Sequence, residues 1–148
     1  MAKRRRWTVV FVPHGSEPSR IVEVSYGLIK LAVGGVASGE GWPVVDYITG
    51  GWIGGLVGGL QRLQTIGNEQ TRIVASRGPV LSMAQVKTQA DMYGTLYERL
   101  TQMLNKGRSP DEAVAAKPAK DYEAQMGNPD EFVRRSFESL WAYLSPDA

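Results

Sequence analysis

From Val86 to Leu104 the apolar residues recur every three or four positions. Val86, Ala90, Tyr93, Tyr97, Leu100 and Leu104 fall on one face, with Leu96 and Met103 beside it. That period belongs to a helix and not to a strand. Ser82, with Gln85 three residues on, forms a capping box for its start, and Gly107 is its stop. The two following helix starts are near copies: Ser109-Pro110-Asp111-Glu112 and Asn128-Pro129-Asp130-Glu131. Each has a cap residue, a proline at the first helical position and carboxylates in the first turn, where the helix dipole favours them. Lys117-Pro118 separates a short helix from a second one around Tyr122. The final helix is expected to bury Phe132, Val133, Phe137, Leu140, Trp141 and Leu144. The second half therefore reads as mainly helical, packed on the sheet that the first half builds.

The first half carries the strands. Trp7 to Val12 is β-branched and aromatic, and Arg20 to Ser25 places Val22 and Val24 on one face with Glu23 on the other. The turn-forming segment 13–18 between them makes a hairpin. Tyr26 to Val33 fits a short helix or a third strand, and its pattern does not choose. Residues 34–41 hold four glycines in eight positions and read as a loop or junction. Trp42 to Tyr47 is a short extended piece. Ile53, Leu56, Val57, Leu60, Leu63 and Ile66 then have helical spacing, although Gly54, Gly55, Gly58 and Gly59 lie among them. Each such glycine costs up to ~1 kcal/mol relative to alanine, so this helix needs tertiary packing. Small residues on one face imply close approach to a neighbouring element. Gly67-Asn68 is its stop, and Thr71 to Ala75 is a strand that leads through Ser76-Arg77-Gly78-Pro79 into the capped helix. The expected fold is α/β, with α+β as the other form: an N-terminal hairpin and short strands packed by several helices. The domain layout is a basic flexible tail at 1–6 and a single domain at 7–148, with a possible junction at 34–41.

The 148 residues, 43% hydrophobic and 22% charged, suit one folded domain. The net charge of +2 is unevenly placed. Lys3, Arg4, Arg5 and Arg6 are four of 17 basic residues, and the remaining 13 face 15 acidic ones, a body of −2. A run of four cations suits phosphates or anionic headgroups, and equally a solvated terminus. The chain has no cysteine, which excludes disulfides, thiolate zinc sites and cysteine nucleophiles. The apolar run from Thr8 to Val12 is too short for a signal-peptide core, and Leu28 to Ala37 is too short and too interrupted for a membrane span. A cytoplasmic location is expected.

Residues able to carry chemistry are few. His14 is the single histidine, in a Pro-Gly turn, and no HxH, HExxH or GxSxG spacing occurs. The GGLVGGLQR segment lacks the Lys-Ser/Thr of a phosphate-binding loop. Asp111-Glu112 and Asp130-Glu131 are paired carboxylates that helix capping already explains.

From Thr71 onward, the strand, Gly-Pro loop and capped helix with DMYGTLYERL, then GRSPDEAVAAKP and FVRRSFESLWAYL, occur in the order found in metallo-β-lactamase-fold hydrolases. The chain resembles the C-terminal portion of that family from about residue 39 to the end. The resemblance implies half of an αββα sandwich. The family's zinc ligands come from an HxHxDH motif, a further histidine, an aspartate and a late histidine in a loop commonly reading PGHGP. Here the HxHxDH half is absent, and the late loop reads Ala75-Ser76-Arg77-Gly78-Pro79. Arg77 thus stands where the family places its ligand, and arginine stays cationic and cannot coordinate a metal. Residues 4–32 resemble the leader of some peptidase-M23-type envelope proteins and include none of their catalytic residues. The chain reads as composite, joined near 34–41.

The resemblance without its ligands implies a non-catalytic, cofactor-free structural or protein-binding module. It would self-associate or hold a protein partner, because half a sandwich leaves apolar surface uncovered. Two other readings stay open. One is a metal-dependent hydrolase with zinc on atypical ligands, His14, Asp46 and Glu40. The other is an anion or nucleic-acid binder through Lys3, Arg4, Arg5 and Arg6, with Arg77 as a further anion contact near the helix start at Ser82.

Overall fold

Two strands, β1 (Arg6–Phe11) and β2 (Arg20–Ser25), open the computed structural model, which describes residues 6–11, 20–25, 41–74 and 79–144. They pair antiparallel, with Val9 opposite Val22 and Val10 opposite Ile21, so the expected hairpin is present. Arg6, assigned to the tail by its charge, is the first residue of β1 and pairs with Ser25. Lys3, Arg4 and Arg5 lie outside the described residues, as do 26–40 with the undecided Tyr26–Val33 segment and most of the glycine-rich junction.

Residues 42–46 run without regular structure into a 3-10 turn at Tyr47–Thr49, and α1 (Ile53–Ile66) follows. Its inward stripe is Ile53, Val57, Leu60 and Leu63. The glycines do make room for a close neighbour, and that neighbour is local. The Trp52 indole folds back over the first turn of α1, and a Cβ on Gly54 would come within 2.4 Å of its ring. The indole is held there by stacking on Tyr143 (4.9 Å between centroids, 13° between planes) and by an edge contact with Tyr97. Gly58 meets nothing within 4 Å.

After α1 come β3 (Arg72–Val74) and β4 (Val80–Ser82), paired antiparallel with Ile73 opposite Leu81. β1 also approaches β3. The second strand of this pair corrects the expectation that 71–75 feeds a helix directly. The chain turns back first, with Leu81 buried and Val80 exposed. Three residues are too few for a period to be read from sequence. The helix α2 (Met83–Asn105) starts at once, with the Ser82–Gln85 capping box formed in both directions. At 1.5 Å per residue it spans about 34 Å. Gly107, at φ +69°, closes it: Gly107 N–H donates to Leu104 O (2.9 Å) and Arg108 N–H to Met103 O (3.1 Å). These are the two bonds of a Schellman motif, whose left-handed position favours glycine.

Three further helices complete the described chain: α3 (Pro110–Ala115), α4 (Glu123–Met126) and α5 (Asp130–Leu144). Ser109 and Glu112 form the second capping box, and Asn128 Oδ1 accepts the Asp130 N–H at 2.9 Å. The segment between α3 and α4 is pinned to α2 by Arg99, which donates to the Pro118 carbonyl and to Asp121 (3.0 Å). Helices thus predominate among the described residues, and the strands form two antiparallel two-stranded sheets. This is a helix-and-strand mix of the α+β kind.

The core lies where α1, α2 and α5 meet. Ile53, Leu60, Tyr93, Leu96, Leu100, Phe137 and Leu140 are fully enclosed there. Two residues expected in this core are not in it: Trp141 is 52% exposed and Leu144 45%. Ser136 and Ser139 take inward positions on α5 instead. The reason is close approach, since the Ile53 N–H at the start of α1 donates to Ser139 Oγ at 3.3 Å. Ser139 in turn donates to Ser136 O (2.6 Å), while Ser136 Oγ is buried with no protein partner. Trp141 lies off this stripe, and Leu144 extends it past the elements that cover it.

Two paired substitutions test this packing by urea denaturation. Gly58→Ala is expected to stabilise by about 1 kcal/mol through helix propensity. Gly54→Ala is expected to destabilise, because the new methyl displaces Trp52 from its stack. Ser139→Ala should cost about 1–3 kcal/mol by orphaning the Ile53 N–H, and Ser136→Ala should cost nothing or stabilise. Equal effects within either pair would contradict the packing described.

Candidate functional site

A strap formed by residues 42–50 crosses α5 along its length. Trp42 anchors one end. Its indole N–H donates to Gly127 O (2.9 Å), and its ring stacks on Phe132 (4.9 Å, 24°) with an edge toward Tyr93. Val45, within the strap, is buried. At the far end Tyr143 Oη donates to Gly50 O at 2.7 Å. Gly50 has φ +96°, a left-handed position, and Gly51 N–H closes the turn on Asp46 O at 2.8 Å. Between Phe132 and Tyr143 the helix rises about 16 Å, well within the reach of the strap, which leaves slack for its 3-10 turn at Tyr47–Thr49.

Tyr47 holds the middle. Its hydroxyl bonds to the Glu138 carboxylate, and that bond pushes the phenol above its ordinary value of 10.0. The negative charge of Glu138 acts in the same direction, and Arg135 opposes it. Arg135 itself is bound by Glu131 at 2.6 Å, which raises its pKa. The outer face of α5 therefore carries a cluster of Tyr47, Glu131, Arg135 and Glu138, with Asp46 close enough to add its charge. A phenol shifted upward stays protonated at neutral pH, so it is poorly suited to act as a base or nucleophile. The cluster is built to clamp the strap.

The paired carboxylates are likewise in use. Glu112 accepts the Ser109 N–H, which holds its carboxyl below the usual range, and it pairs with Arg108 at 2.6 Å. Asp111 binds Arg134 of α5 at 2.5 Å. Among the described residues no three of His, Cys, Asp and Glu converge as a metal cluster would, and no helix is long and apolar enough to cross a membrane.

Large apolar side chains stay in solvent around the strap. Ile48 is 82% exposed and Val44 is also exposed on the strap itself, while Trp141, Tyr143 and Leu144 are exposed on the last turns of α5. In the chain Ile48 lies between the two attachments at Tyr47–Glu138 and Gly50–Tyr143. An exposed apolar group of this kind suits an interaction surface.

Of the residues singled out by sequence, Lys3, Arg4, Arg5, His14, Glu40 and Arg77 lie outside the described residues, and Arg6 opens β1. The strands described on either side of Arg77 in sequence, β3 and β4, pair antiparallel, so β3 does not lead straight into a helix. Of the atypical ligand set only Asp46 is described, and its carbonyl caps the turn to Gly51. Sequence reasoning missed Tyr47 and Glu138, which are 91 residues apart and share no motif. The one available signal was the aromatic and apolar character of Trp42 to Tyr47. No protein family, curated protein or solved structure was found to match the chain.

The Tyr47–Glu138 bond makes a prediction for alkaline pH. A folded-state pKa above the unfolded value stabilises the fold below pH 10 and loses that contribution as pH rises through the folded value. Urea midpoints should therefore fall as pH rises above about 10. Tyr47→Phe should show a shallower fall over the same window. An unchanged slope in the variant would remove Tyr47 from the linkage.

Proposed function

We propose that this chain is a non-catalytic, metal-free structural or protein-binding module that acts by self-association or by holding a protein partner. The observation that carries the reading is the set of exposed apolar side chains, Ile48, Trp141, Tyr143 and Leu144, around the strap and the end of α5. Full burial of a large apolar side chain is worth roughly 1.5–3 kcal/mol, and a partner surface would recover the share of it that Ile48 and the half-exposed Trp141 and Leu144 forgo. The use of Asp111, Glu112 and Glu131 in caps and ion pairs, and of Glu138 as the acceptor for the Tyr47 hydroxyl, favours a structural role for these acidic residues over general acid–base work. Descent from the metallo-β-lactamase fold rests on the sequence segments quoted above and not on these contacts. A cytoplasmic setting belongs to the same reading.

Light scattering on purified protein across the micromolar range tests it. The expected result is a mass above that of one 16.2 kDa chain, or a partner that co-purifies. Replacing Trp141 and Leu144 together by serine should then return the monomer while the far-ultraviolet circular dichroism stays helical. A wild-type monomer with no bound partner would overturn the proposal. An oligomer untouched by the double substitution would place the interface elsewhere.

A further inference from the structure

We draw no further inference here: the strongest candidate, the exposed apolar surface of Ile48 on the strap and Trp141, Tyr143 and Leu144 on the last turns of α5, already belongs to the binding module proposed above, and nothing in the structure shows what covers it.

Discussion

The apolar stripe of α2 is the surface on which the other elements are assembled. Val86, Ala90, Tyr93, Leu96 and Leu100 lie along it and are buried. A helix with such a stripe is not stable alone in water, because its propensity adds little beside the burial of its face. α1 supplies one cover and α5 the other, with the β3–β4 hairpin at the start of α2. The glycine-rich α1 depends on this most. Its own propensity is poor, and Ile53 and Leu60 must be buried against α2 and α5 for it to persist.

Close approach of α1 and α5 sets the remaining choices. Ser136 and Ser139 occupy the inward face of α5, and Ser139 satisfies the first backbone N–H of α1. Bulkier apolar residues at those positions would hold the helices apart. Tyr143 then reaches past this junction to stack on Trp52 and to bond Gly50, tying the last turn of α5 to the strap and to α1 together. Trp52 fits only because Gly54 and Gly55 leave the first turn of α1 bare. Stacked rings and a buried hydrogen bond here replace the side-chain cap that the start of α1 lacks.

The strap shows how polar and apolar fixing can share one segment. Trp42 and Val45 go inward, Tyr47 bonds across to Glu138, and Val44 and Ile48 are left in solvent. The ion pairs along α5 are exposed, and each contributes little to stability. Their value is directional: Arg134 fixes α3 through Asp111, and Arg135 lies beside the phenol of Tyr47.

The sequence by itself determined the features that depend on neighbours within a few residues. Both capping boxes, the proline-led starts at Ser109 and Asn128, the stop at Gly107, the β1–β2 hairpin and the stripe of α2 were legible, because each is a local hydrogen-bonding or periodicity rule. The tertiary structure decided what depends on distant partners. It turned the chain back through β4 before α2, buried Ser136 and Ser139 on the inward face of α5, and left Trp141 and Leu144 exposed. It also joined Trp42 to Gly127 and Tyr47 to Glu138. A residue's neighbours three or four positions away are fixed by helix geometry. Those some ninety residues away are fixed only when the packed helices bring two surfaces together, and no local pattern encodes that meeting.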